Sequence, residues 1–421
     1  MKRSLAAFLV LIAMGLAFIG CGRSPRRSPG PDSSGSHSSR GPEGSGSIEK
    51  DNSKLALDLY RMLSEDEGNI FFSPYSISSA LAITFLGARG ATAGEMEKIL
   101  HFGDPPGEFH SGFRSLDRKL NEEGRGGAYE LVVANRLWGQ KGHAFLSSFL
   151  EEGKSYYNSA LGELDFKNDA EGARTVINKW VEDGTKGKIK DLIAPGGVSP
   201  AMNLVITNAI YFKSTWDAKF EKDRTSRQPF HRSSKEKAEC DLMYKFDTLK
   251  YAKRKDFEAL EIPYRRGKLS MLVLLPKDAR SLKKLGKSLS YGDLEVLRSE
   301  LRLRKVNLSF PKFSTTSSYD LTETFCKMGM RAPFDAGSAD FSGIDGTKSM
   351  FISKIVHKAY IDVNEEGTEA AGATEVEMGL LDSGEEEGPV TFRADHPFLF
   401  LIRENSTGTI LFMGKLTDPS R

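Results

Sequence analysis

Cysteine is scarce in this chain. Three residues among 421, Cys21, Cys240 and Cys326, cannot supply a disulfide framework, so the fold must be held by its core. Cys240 and Cys326 are expected as free, buried thiols. Seven histidines show no His-Glu-x-x-His pairing, and so few cysteines leave no zinc-ligand cluster. The Gly-x-Ser-x-Gly elbow is missing, and with it the nucleophile turn of one hydrolase class. An excess of one charge is also absent: 59 Lys and Arg against 57 Asp and Glu leave a net charge of +2, which points away from nucleic acid as a partner. No internal repeat is visible. Ser281 to Ser288 half resembles a phosphate-binding loop, but its first glycine is missing and Leu282, Leu285 and Leu289 have helical spacing. The sequence therefore calls for no metal and no cofactor.

What is present starts at the N-terminus. Met1-Lys2-Arg3 precedes an apolar run from Leu5 to Ile19 that is too short for a comfortable membrane span and ends in Phe18-Ile19-Gly20-Cys21. Residues 1–20 are read as a signal peptide. A small residue before cysteine resembles the bacterial lipobox, which makes Cys21 the expected lipid anchor of an exported protein, with plain cleavage and secretion as the alternative. The expected location is the cell surface or outer membrane, or the extracellular medium. Residues 21–50 are rich in Gly, Ser, Pro and Arg and cannot bury a core, so they read as a flexible tether.

Residues 51–421 are densely patterned and read as one domain. Asn52–Leu63 and Ser76–Leu86 have helical apolar spacing, and Thr92 to Glu95 has capping-box spacing. Tyr129–Trp138, Asn203–Phe212, Glu258–Pro263 and Leu269–Leu275 read as strands covered on both faces. Phe392–Ile402 reads as one buried strand, followed across a turn by Thr409–Gly414. Unequal blocks of helices and strands argue for an α+β fold. Arg114, Arg118 and Lys119 form a modest basic cluster that suits a solvated face as well as a polyanion site.

The segment from Glu365 to Met378 is patterned like a strand although its composition is that of a loop. Thr368, Ala370, Gly372, Thr374, Val376 and Met378 fall on one face, while Glu369, Glu375 and Glu377 fall on the other. Small side chains remove the steric obstacle to a backbone passing between two strands, and Gly367 supplies a pivot. The acidic tip Asp382 to Glu387 follows before sheet resumes.

Asn69-Ile70-Phe71-Phe72-Ser73-Pro74-Tyr75-Ser76-Ile77-Ser78, Thr207 to Trp216, Phe310-Pro311-Lys312-Phe313, Ile355 to Ala359 and Asp395 to Phe400 together resemble the serpins, from about Lys54 to Pro419. The resemblance implies a large central mixed sheet A, further sheets B and C, surrounding helices and an exposed reactive-centre loop. It implies a monomeric inhibitor rather than an enzyme. A serine protease, or a cysteine protease, attacks the loop and forms an acyl-enzyme. The upstream half of the loop then inserts into sheet A as a new strand, a transition that serves as a general example of fold switching.

Carried over residue by residue, the resemblance places a hinge at Gly367, Thr368, Glu369, Ala370, Ala371, Gly372 and Ala373. It places a shutter at Ser73, Ser76, Asn208 and His357, and a breach at Trp216, Lys312 and Glu365. The resemblance places the reactive bond between Leu381 and Asp382, which implies a target with an apolar pocket, of chymotrypsin, elastase or subtilisin type; a slip of one residue places it between Asp382 and Ser383 and implies a different target. The alternative is a non-inhibitory serpin that serves as an extracellular binding or chaperone-like protein.

Overall fold

The computed structural model describes residues 45–65, 67–103, 105–158, 161–368 and 388–420. Its first half contains α1 (Ser45–Leu63), β1 (Ile70–Phe72), α2 (Pro74–Phe85), α3 (Gly90–Leu100), α4 (Pro106–Arg125), β2 (Glu130–Gln140), α5 (Ser147–Tyr157), β3 (Gly162–Leu164) and α6 (Ala170–Gly184). Then come β4 (Leu204–Thr215), β5 (Glu221–His231), β6 (Lys237–Lys253), β7 (Phe257–Pro263), β8 (Leu269–Pro276), α7 (Ser281–Ser288), α8 (Tyr291–Glu300), β9 (Arg302–Pro311) and β10 (Phe313–Asp320). The chain closes with α9 (Leu321–Met328), α10 (Ser342–Asp345), β11 (Ile352–Asn364), β12 (Gly367–Thr368), β13 (Val390–Arg393), β14 (Phe398–Glu404) and β15 (Ile410–Leu416).

Two sheets organise these elements. The six-stranded sheet has the order β10-β11-β12-β4-β2-β3 and is mixed, because β4 runs parallel to β11 and antiparallel to β2. The other has nine strands, and the long β6 unites what the sequence suggested as two sheets by pairing with β5, β7 and β9.

Strand β4 shows how the six-stranded sheet is held. Leu204, Ile206, Ile210 and Phe212 join the main core on one face, whereas Val205 and Ala209 join a second cluster on the other. That second cluster includes Ala173, Ile177 and Val181 of α6, so this helix covers the outer face. A strand buried on both sides reads as a continuous apolar run, and Asn208 interrupts it on the main-core face.

Several boundaries differ from the sequence reading. Helix α1 begins at Ser45 rather than Asn52, so residues 45–50 are helical and not tether. Ile48 and Glu49 are buried there. Helix α3 starts at Gly90 with Arg89 at its N-cap position, so Thr92 and Glu95 form no capping box. Their side chains serve distant backbone instead: Thr92 Oγ1 accepts from the Asp340 N–H, and the Glu95 carboxylate accepts from the Arg331 and Ala332 N–H groups.

The expected strand Phe392–Ile402 is two strands. β13 pairs with β9 and β14 with β8 and β15, and the intervening residues carry the chain from one neighbour to the other. Pro397 has no N–H to give a ladder, and Asp395 gives its carbonyl to the His231 N–H. The phosphate-loop look-alike is helix α7, with Leu282 and Leu285 buried. Cys240 is buried and Cys326 half-buried, and both are free. Of the basic cluster Arg114, Arg118 and Lys119, Lys119 is paired with the buried Glu404 carboxylate at 2.9 Å.

Candidate functional site: a poised hinge, its seat and a polar gate

Beside the C-terminal ends of β4 and β11, the six-stranded sheet holds the start of another strand. Most of β4 pairs directly with β11, from Ile352 opposite Leu204 to Tyr360 opposite Tyr211. Beyond that point β12 lies between them, with Thr368 opposite Val363 on one side and Ser214 on the other. Both pairings of β12 are antiparallel. Thr368 is 0% exposed, and its hydroxyl shares a 2.7 Å hydrogen bond with the buried Tyr264 hydroxyl. A Cβ on Gly367 would fall 2.1 Å from the Ser214 carbonyl oxygen, so only glycine fits that close backbone approach.

The seat of the hinge is built by the turn after β4. The Trp216 N–H donates to the Glu366 carbonyl and the Phe220 N–H to the Glu365 carbonyl, each at 3.0 Å. Trp216 Nε1–H donates to the Asn364 carbonyl at 2.9 Å, while its ring stacks on Tyr264 with centroids 4.6 Å apart. Lys312 Nζ reaches the Glu365 carboxylate at 3.2 Å, and the Thr225 hydroxyl donates to it at 3.0 Å. Burial alone raises the Glu365 pKa, but these partners and a backbone donor outweigh it and hold the carboxyl below its ordinary value. Glu366 is bracketed by Lys219 and Lys222, each at 2.6 Å, and their hydrogen bonds lower its pKa.

Farther down the same seam lies a buried polar cluster, about 20 Å from the hinge by strand rise between Asn208 and Ser214. Ser73 caps α2: its Oγ accepts from the Ser76 N–H at 3.1 Å and donates to the Leu411 carbonyl at 2.6 Å. Pro74 at the first helical position suits that start, since its missing N–H would have no partner there. His357 Nε2 accepts from the Ser73 N–H at 3.1 Å, which leaves its Nδ1–H to donate to Asn208 Oδ1. Both ring nitrogens are committed to the neutral imidazole. Burial pushes the His357 pKa down to about 3 against a weaker opposing effect of Asn208. Asn208 Nδ2 donates to Ser76 Oγ at 2.6 Å and also to Asn135 Oδ1, while Asn135 Nδ2 donates to the Ser76 carbonyl at 3.0 Å. The cluster ties β11, β4 and β2 to α2, across the seam between β4 and β11.

The serpin family model, described as serine protease inhibitor, matches residues 50–419. The chain belongs to the serpin family. It is 43% identical over 378 residues to the leukocyte elastase inhibitor of Homo sapiens, covering 87% of this chain and 98% of that protein. The leukocyte elastase inhibitor of Bos taurus is 44% identical over 380 residues, with the same two shares. Among solved structures, uncleaved ovalbumin superposes with a TM-score of 0.80 at 29% identity, covering 89% of this chain and all of that one. The six-stranded sheet is thus the serpin sheet A.

Each described residue carried over from the family motifs lies in one of the two clusters. Trp216, Lys312 and Glu365 converge on the hinge, and Ser73, Ser76, Asn208 and His357 form one connected network. Gly367 and Thr368 occupy β12. Glu369, Ala370, Ala371, Gly372 and Ala373, the bond between Leu381 and Asp382, and Cys21 lie outside the described residues. Sequence reasoning missed Asn135, which stands directly opposite Asn208 across β2 and β4. A polar residue directly after the apolar run Leu131-Val132-Val133-Ala134, within a strand, was the available signal. It also missed Tyr264, Thr225 and Phe220, whose roles depend on contacts distant in sequence.

Proposed function

We propose that this serpin is an inhibitory, suicide-substrate trap for serine endopeptidases. One observation carries the reading: Thr368, small and fully buried, already occupies the first position of a new strand between β4 and β11. In this mechanism the target's serine Oγ attacks the carbonyl carbon of Leu381, the bond to Asp382 nitrogen breaks, and the freed amine takes up the proton. An ester then joins the protease to the upstream half of the loop. Insertion of that half as an antiparallel strand converts one parallel seam into two antiparallel ones. Each apolar side chain it buries contributes roughly 1.5 to 3 kcal/mol. Insertion must outrun hydrolysis of the ester, which is why a small residue at Thr368 matters.

An apolar residue at Leu381 fits a protease with an apolar pocket, and the names of the relatives fit an elastase-like one. Cysteine proteases are a second target class. The serpin acts as a monomer in this scheme. The signal-like residues 1–20 and Cys21 precede the matched region, which begins at residue 50. They support export of the serpin and its attachment to a bacterial membrane through a lipidated Cys21.

Incubation with elastase, chymotrypsin and subtilisin, followed by boiling in detergent, tests the trap. The expected product is a covalent complex, and intact-mass measurement of the released C-terminal peptide identifies the bond cut. Cleavage across that panel with no stable complex refutes the reading.

A further inference from the structure

We infer that Lys245 is a positioning residue for hinge insertion, acting through the turn that seats the hinge. The inference rests on the inhibitory reading above. Lys245 lies on β6 and is 2% exposed, a rare situation for a lysine. Its ammonium donates to the Ala218 carbonyl at 2.8 Å and to the Asp247 carboxylate at 2.9 Å, and it lies 5.1 Å from the centroid of the Phe220 ring. Asp217 adds a favourable charge from the same turn, although burial still lowers the lysine pKa.

Two of these partners, Asp217 and Ala218, are the inner residues of the turn whose outer residues, Trp216 and Phe220, hold the hinge. Trp216 and Phe220 donate their N–H groups to Glu366 and Glu365, and Lys245 grips the chain between them at Ala218 and lies against the ring of Phe220. Among the described residues, the hydrogen bonds of this side chain go to Ala218 and Asp247 and not to Gly367 or Thr368 of the hinge. Its placement instead fixes the spacing of the two donors, and through them the register of Gly367 against Thr215 and Thr368 against Ser214. A turn without this anchor presents the donors loosely. The hinge then starts out of register and the ester has longer to hydrolyse.

A core lysine serving packing alone makes a different prediction. Lys245→Met is close in shape but leaves the mostly buried Asp247 carboxylate without its partner, so Lys245→Met/Asp247→Leu is measured beside it, since replacing a whole buried pair with apolar side chains is often neutral or stabilising. The full chain is measured by hydrogen exchange in the uncleaved state, by thermal unfolding, and by the moles of inhibitor consumed per mole of elastase inactivated. Lys245→Met is expected to speed exchange of the Trp216 and Phe220 amides about tenfold or more, as loss of a charge-assisted hydrogen bond implies. Exchange around Asn208 and His357 should stay within error of the parent, and so should the melting temperature of the double variant. Asp247→Asn, which leaves the bond to Ala218, should give the same local pattern at smaller amplitude. The stoichiometry of inhibition should rise severalfold with the association rate unchanged.

Unchanged exchange at Trp216 and Phe220 in Lys245→Met overturns the anchoring role. So does acceleration in the double variant that is spread evenly over the sheet with a lowered melting temperature. A parent protein that forms no complex overturns the inhibitory reading and the kinetic part of the inference, whereas exchange alone decides the anchoring part.

Discussion

Replacing Thr368 with arginine separates insertion from recognition. Thr368 is wholly buried between two strands and bonded to Tyr264, so Thr368→Arg would carry a guanidinium into a position with no acidic partner among the contacts described there. An unpaired buried charge costs several kcal/mol. If about 3 kcal/mol of that cost is felt in the transition state for insertion, the step slows roughly a hundredfold. Cleavage is unaffected, because the protease meets the loop far from this residue in sequence. Hydrolysis of the ester should therefore win, and the variant should be consumed as a substrate. The assay is the ratio of covalent complex to cleaved serpin on a detergent gel, together with the inhibitor-to-enzyme ratio needed for full inactivation. A Thr368→Arg protein that inhibits one-to-one like its parent refutes the argument that this position gates the trap.

His357 makes stability depend on pH. The unfolded chain binds a proton at this group near its ordinary value of 6.5, while the folded chain holds it neutral down to about 3. Its contribution is complete above pH 6.5 and is lost as pH falls through that window, by up to about 1.4 kcal/mol per unit. Urea midpoints at pH 7.5 and pH 5 should fall less steeply for His357→Gln than for the parent. His110, pushed to about 4 by burial, adds a slope of the same sign in both proteins. Asn135→Ala removes its bonds to Ser76 and Asn208 and should cost about 1 to 3 kcal/mol, read as a lowered urea midpoint. Gly367→Ala sets a methyl against the Ser214 carbonyl and should cost about 1 to 3 kcal/mol at the seat, seen as faster exchange of the Trp216 and Phe220 amides.

Local chemistry made much of this fold legible. The strands read as Asn203–Phe212 and Leu269–Leu275 appear at nearly those bounds, because a continuous apolar run covered on both sides is a strong signal. The errors arose where distant residues claimed a group that local rules had assigned. Thr92 and Glu95 had the spacing of a cap, yet each satisfies backbone N–H groups more than 230 positions away. Asp395 to Pro397 lay within an apolar stretch, but the chain changes partners there. The two clusters were legible only through family motifs, since nothing in the spacing of Ser73, Asn208 and His357 shows that three elements meet. Asn135 escaped even that route, and only its position across the ladder from Asn208 reveals it.

The two residues between β11 and β12 have a kinetic consequence. Glu365 and Glu366 alone connect the last residue of one strand to the first of the next. A strand attached by so short a link loses little chain entropy on zipping, and its effective concentration at the gap far exceeds that of any free peptide. In the proposed trap, zipping would proceed in order from Thr368 downward. Side chains met early should therefore govern the speed of the trap, whereas those met late should govern only how firmly it stays shut.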